Sequence, residues 1–243
     1  MKLSVVIPCY NEKNTVITLL KRVTNAPYPV GITAIEILVI DDMSKDGTRE
    51  ILAKIQGSPA SEIGLKPTQE FRLHLQAENG GKGHALRTGF AEAKGDIVLV
   101  QDADLEYFPE DYPQLLTPIL GGYADVVFGS RFIGMERRAL YFHHTLINKF
   151  LTFLSNCFTN LNLTDMETCY KVFRKEVLAR ISLESDRFGF EPEVTAKVAK
   201  LKVRVFEVGI RYNGRTYEEG KKIGWKDGVA ALWHIIRFNL LVK

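Results

Sequence analysis

Along the chain, short β-rich apolar runs alternate with stretches in which apolar residues recur at helical spacing. "LSVVIP" (3–8) reads as a first strand ending at Pro8. "NEKNTVITLLKRVTNA" (11–26) reads as a helix with Val16, Leu19, Leu20 and Val23 on one face and Asn11 at its N-cap. "IEILVIDD" (35–42) is a continuous apolar run closing on two aspartates, the pattern of a strand buried on both faces of a parallel sheet. "SKDGTREILAKI" (44–55) joins turn chemistry, to which Asp46 is assigned, to another helix. Residues 56–70 carry Gly, Pro and Ser and read as a loop or local insertion. A strand in "FRLHLQ", a helix in "HALRTGFAEAK", a strong strand in "DIVLVQDAD", a helix from "PEDYPQLLTPIL" and a strand in "ADVVFGSR" follow. This alternation predicts an α/β fold: a doubly wound, mostly parallel central sheet flanked by helices.

From about Ile133 the pattern changes. "LYFHHTLINKFLTFLSNCFTNL" is a long aromatic-rich helical stretch, "FEPEVTAKVAKL" another helix and "VRVFEVGIRY" another strand. With no linker-like segment in between, residues 1–243 are expected to form one domain with two halves, 1–132 and 133–243. The second half ends in the amphipathic "VAALWHIIRFNLLVK", which can pack on the core or lie on a membrane surface. No stretch approaches the ~20 apolar residues of a spanning helix, and the N-terminal apolar run is too short for a signal peptide.

Composition changes this picture little. The 243 residues are 46% hydrophobic and 25% charged, enough for a large core. A net charge of +3 is too small to argue for nucleic acid. Three cysteines, Cys9, Cys157 and Cys169, form no metal-type pair and cannot all be bridged, which points to a reducing cytosol.

The candidate chemistry lies at strand ends. In an open parallel sheet, ligands bind beyond the C-terminal ends of the strands. Three predicted strands run out there into Pro8–Glu12, Asp41–Asp42 and Asp102–Asp104. Four carboxylates with no apparent paired cation would repel one another, and Mg²⁺ or Mn²⁺ would relieve that. Asp102 and Asp104 point the same way from extended chain, and Glu106 can join them after a turn. The alternative is structural, because strand-end aspartates also cap helices and accept turn hydrogen bonds. Two other nucleotide folds fail on spacing. "CYNEKN" lacks the glycines of a dinucleotide fingerprint, and "GGKGH" (80–84) has Gly83 where a P-loop needs Ser or Thr.

"VVIPCYNEKNTV", "ILVIDDMSKDGT", "ENGGKGHALRTGF", "GDIVLVQDADLEY" and "VVFGSRF", in that order, resemble family 2 glycosyltransferases, in particular the dolichol-phosphate mannose synthase and polyprenyl-phosphate hexosyltransferase branch. The likeness continues through "ETCYKVFRKEVL", "FGFEPEVTAKV" and "IRYNGRTYEEGKKIGWKDG". It implies a GT-A fold, a nucleotide-sugar donor bound by the first half, an acceptor on the second, inversion at the anomeric carbon and a divalent ion on the Asp-x-Asp. Carried over, Pro8, Tyr10, Glu12, Ile40 and Asp42 would line the nucleoside pocket. Asp102, Ala103 and Asp104 would meet ribose, diphosphate and metal, with Glu106 a further metal ligand. Arg131, Arg215 and Lys221 would contact phosphates, and Lys82 is a further candidate. Such cations stabilise the charge that develops on a departing diphosphate. At "ETCYK" and Gly220 the chain departs from residues common in that branch.

The acceptor decides whether a base is required. A sugar hydroxyl needs one, and Asp165, Glu191 and Glu193 are candidates. A lipid phosphate, with a second pKa near ~6, needs none. Arg137 and Arg138 could receive it near a membrane surface. Polyprenyl phosphate is the favoured acceptor. A saccharide acceptor with a carboxylate base and a nucleotide-sugar-binding module without turnover are the alternatives.

Overall fold

The computed structural model describes residues 1–139, 141–187, 189–216, 218–219 and 225–242, and of 225–227 the backbone alone. Its strands are β1 (Lys2–Cys9), β2 (Ala34–Asp41), β3 (Gln69–Leu75), β4 (Ile97–Val100), β5 (Val126–Ser130), β6 (Lys171–Arg174) and β7 (Val205–Gly209). They form one sheet in the order β3-β2-β1-β4-β6-β5-β7. Every described pair is parallel except those of β6, which runs antiparallel to β4 and β5. The helices are α1 (Val16–Asn25), α2 (Thr48–Gly57), α3 (Pro59–Ile63), α4 (Lys82–Glu92), α5 (Tyr112–Leu120), α6 (Phe142–Thr159), α7 (Lys175–Leu178), α8 (Phe190–Lys200) and α9 (Trp225–Ile236).

The apolar runs became the central strands because helices cover both sheet faces. All four residues of β4 are fully buried, as are Leu3, Val5, Val6 and Ile7 of β1 and Ile37 to Ile40 of β2. Register then brings the strand ends together. Pro8 pairs with Ile40, Cys9 with Asp41 and Val6 with Val100. The polar residues that follow β1, β2 and β4 therefore leave the sheet at one edge.

Two local expectations were wrong. Asn11 does not cap α1. It sits at φ 54, its N–H donates to Ser44 Oγ at 2.9 Å, and its Oδ1 accepts from Lys45 N at 2.9 Å. Glu12 N and Lys13 N likewise donate to Thr48 Oγ1 and Asp46 Oδ2. The segment sews the β1 end to the β2 end, and the helix starts only at Val16. Within 56–70 lies α3, with Pro59 in its first turn and Ile63 buried against the core. Asp46 takes the turn role expected of it, accepting from Thr48 N at 3.0 Å.

β6 and β7, from the second half of the chain, complete the sheet begun by the first. β6 is short and enters against the direction of its neighbours, and periodicity carries no sign of that.

Candidate active site

The end of β4 is held by Gln101. This fully buried side chain accepts from Tyr112 OH at 2.8 Å and Tyr170 OH at 2.7 Å, and donates to the Asp102 carbonyl at 2.9 Å. Beyond it the chain turns instead of staying extended. Leu105 adopts φ 64, a left-handed conformation that costs a branched residue roughly 1–2 kcal/mol. The turn lets Glu106 N donate to Asp104 Oδ1 at 3.1 Å.

Asp102 faces Lys82, the first residue of α4, at 3.0 Å, and the same Nζ reaches Glu191 Oε1 at 2.9 Å. Asp104 faces Arg215 Nη2 at 3.1 Å, and Glu106 Oε1 accepts from Arg215 Nε at 3.1 Å. Tyr212, which sequence reasoning missed, donates to Glu106 Oε2 at 2.7 Å and lies under the Arg131 guanidinium, 5.1 Å from its ring centroid. Its only signal in the sequence is an aromatic between two arginines in "RYNGR". Glu12 is close enough for its charge to act on Arg215.

The expectation of four unpaired carboxylates is therefore corrected. Asp41, fully buried, pairs with Arg49 at 3.1 Å. Asp42 accepts from Gly80 N at 2.9 Å, Gly81 N at 2.7 Å and Asn79 Nδ2 at 3.0 Å. That bracket explains "GGKGH". A Cβ on Gly81 would lie 2.7 Å from the Asp186 carbonyl oxygen, and one on Gly83 would lie 2.1 Å from that of Ser185. The glycines let the loop lie against that segment and aim Lys82 at Asp102. The Ile40 side chain is fully buried against Gly89. Ala103 is buried, Pro8 partly buried, and Tyr10 39% exposed. Lys221 lies outside the described residues.

At the end of β5, Arg131 forms a fork with Asp165, Nε–Oδ2 2.6 Å and Nη2–Oδ1 2.7 Å. Asp165 is fully buried, its own backbone N–H bound by Glu207. Both of its carboxylate oxygens are engaged in holding Arg131. Glu193, equally buried, accepts from Glu184 N and Ser185 N and pairs with Lys197. Glu191 is committed to Lys82.

Electrostatics follow from this crowding. Burial, then the charges of Asp102 and Glu106, raise Asp104 to about 7 despite Arg215. Burial works against the charge of Lys82, yet Asp102 and Glu191 hold its pKa well above the usual lysine range. Burial and Glu191 raise Glu167 to about 8, so at neutral pH it holds a proton. Carboxylate charge exceeds the cations around the β4 turn. Among the described residues, however, no three His, Cys, Asp or Glu side chains already converge on one point as a metal cage. Asp102, Asp104 and Glu106 are spread instead between Lys82 and Arg215.

A seven-stranded, mostly parallel sheet flanked by helices is an architecture shared with GT-A glycosyltransferases. Glucosyl-3-phosphoglycerate synthase from Mycobacterium tuberculosis, solved with Mn²⁺, UDP and phosphoglyceric acid, superposes with a TM-score of 0.71 at 18% identity, covering 98% of this chain and 78% of that one. The chain belongs to the glycosyl transferase family 2, whose profile matches residues 4–182. Dolichol-phosphate mannosyltransferase of Pyrococcus furiosus is 32% identical over 229 residues, 92% of this chain and 61% of that protein. Undecaprenyl-phosphate mannosyltransferase of Micrococcus luteus is 29% identical over 250 residues, 100% of this chain and 96% of that protein. The chain thus spans about three fifths of the P. furiosus relative and nearly all of the M. luteus one.

Proposed function

We propose that this protein is an inverting, metal-dependent hexosyltransferase that moves a hexose from GDP- or UDP-hexose to a polyprenyl (dolichyl or undecaprenyl) phosphate. The observation that carries the reading is the pairing of Lys82 with Asp102 and of Arg215 with Asp104. Cations suited to phosphate oxygens and carboxylates suited to a divalent ion share one cleft.

Mg²⁺ or Mn²⁺ fits these residues. The donors are all carboxylate oxygens, and a buried acid raised to about 7 marks negative charge that the side-chain cations do not offset. Mg²⁺ takes one or two carboxylates and completes its shell with water and substrate phosphates, so no preformed cage is required. Asp102, Asp104 and Glu106 would hold the ion, which when bound supplies charge for the leaving diphosphate. Lys82 and Arg215 would pass from carboxylate to phosphate as the donor enters. Arg131, its fork held by Asp165, would present its remaining N–H groups to phosphate. Tyr10, Glu12 and the Asp42 bracket would border the nucleoside, and Lys221 would add a further phosphate contact. Solved GT-A neighbours contain Mn²⁺ with UDP, or Mg²⁺ with UDP, and support an ion in this cleft.

A phosphate acceptor is favoured because each carboxylate that could serve as base is otherwise engaged. Asp165 holds Arg131, Glu191 holds Lys82 and Glu193 caps a loop. Glu167 carries its own proton at neutral pH. An ionised phosphate attacks unaided. The relatives named for transfer to dolichol phosphate and undecaprenyl phosphate support the same choice.

Incubation with labelled GDP- and UDP-hexoses, Mg²⁺ or Mn²⁺, and polyprenyl phosphate tests the reading. Label entering the organic phase is expected. Label found solely in an added saccharide overturns the lipid acceptor. Donor binding without transfer to anything indicates a module that does not turn over.

A further inference from the structure

Helix α6 is built inside out. It buries Leu151, Thr152 and Ser155, while Phe142, Leu146, Phe150 and Phe153 stand 78%, 58%, 56% and 65% exposed along one stripe. The inward polar groups fix that orientation. Thr152 Oγ1 accepts from Met166 N at 3.1 Å, and Asn156 Nδ2 donates to the Leu163 carbonyl at 2.7 Å. Beside it, α9 packs through Ala231 and Ile235 onto Leu151 and Met166, and Gly228 lies against Ile147. Trp233 of α9 is also exposed, at 54%. Exposed aromatic surface of this extent along α6 marks an interaction site.

Charge indicates which kind. Residues 142–159 contain no acidic side chain, and Lys149 projects from the exposed stripe. Its Nζ lies 5.8 Å from the Phe132 ring centroid, with the Arg137 guanidinium at 5.0 Å and that of Arg131 at 5.9 Å from the same ring. A cationic rim therefore joins the apolar stripe to the arginine of the cleft.

We infer that this face seats on an anionic lipid bilayer. The α6 aromatics enter the interfacial layer, and Lys149 and Arg137 meet headgroup phosphates. The inference rests on the acceptor reading above, because the same rim would pass the phosphate end of a membrane-borne acceptor to Arg131. A protein partner is disfavoured because residues 142–159 offer no acidic side chain to pair with a partner's cations.

Flotation of the full chain with phosphatidylglycerol/phosphatidylcholine vesicles tests it, with Phe150→Glu/Phe153→Glu and Arg137→Glu/Lys149→Glu as variants. Binding that needs the anionic lipid and weakens with salt is expected. The aromatic pair change should lower it by about tenfold or more. Transfer to a short-chain, water-soluble prenyl phosphate should stay at the parent level in the aromatic variant, and unchanged thermal unfolding controls for folding. A parent protein that does not float overturns the inference, even if it transfers hexose to that soluble acceptor. So does a parent dimer that Phe150→Glu/Phe153→Glu converts to monomer with vesicle binding unchanged. Flotation without transfer to any prenyl phosphate overturns the acceptor reading and leaves the membrane face standing.

Discussion

At the end of β2, Asp42 accepts from two backbone amides and an asparagine, whereas at the end of β4, Asp102 and Asp104 are met by the flexible cations Lys82 and Arg215. Both ends read as a pair of acids after a buried strand. Backbone amides cannot leave Asp42 unless the Gly80–Gly81 loop unfolds, so its charge is structural. On the proposed function, Lys82 and Arg215 pass to the donor's phosphates, so the charge beside them is exchangeable. Equal residues thus acquire different uses through the mobility of their partners.

The largest expected effect tests the exchangeable end. Asp104→Ala should lower hexose transfer by about 10³-fold, roughly 4 kcal/mol of transition-state stabilisation, with a thermal midpoint close to the parent's. Chelation by EDTA should reach the same loss, and Mg²⁺ or Mn²⁺ should restore it. Full transfer by the variant would remove the ion from Asp104.

Asp42→Ala should act on the fold. Stranding Gly80 N, Gly81 N and Asn79 costs about 2–4 kcal/mol in urea unfolding. If that variant unfolds like the parent, the two acidic ends are of one kind and the contrast fails.

Lys82→Gln should weaken nucleotide-sugar binding by about tenfold, or 1.4 kcal/mol, measured calorimetrically. An unchanged affinity would mean that Lys82 stays with Asp102 and Glu191.

An ordinary ion pair calibrates the rest. Asp125, hydrogen-bonded by Arg204, is lowered from 3.8 to about 2. Depressed in the folded state, it stabilises the protein above about pH 4 and loses that contribution as pH falls towards 2. Because Arg204 is 56% exposed, solvent screening keeps that contribution small. Asp125→Asn should unfold slightly more easily at pH 6 and nearly like the parent at pH 2.

Much of the fold was legible because β1, β2 and β4 are buried on both faces and must be apolar throughout. β6 escaped notice because direction within a sheet leaves no periodic trace. The acids, Arg131 and Arg215 could be named from their motifs. Asp165, read as a candidate base, proved to be the holder of Arg131, since nothing in "TDMET" tells which cation will fold against it. Nor could Tyr212 be found from its neighbours, because its partners Glu106 and Arg131 come from the ends of other strands.

Order along the chain, the apolar strands and the residue types at their ends were set by sequence alone, because burial and helical or extended periodicity act over a few neighbouring residues. Which carboxylate meets an amide and which meets a lysine or arginine was decided by tertiary structure. So was the outward turn of the α6 aromatics. Those outcomes depend on groups brought within hydrogen-bond reach from positions tens of residues apart, and only the packed sheet sets such distances.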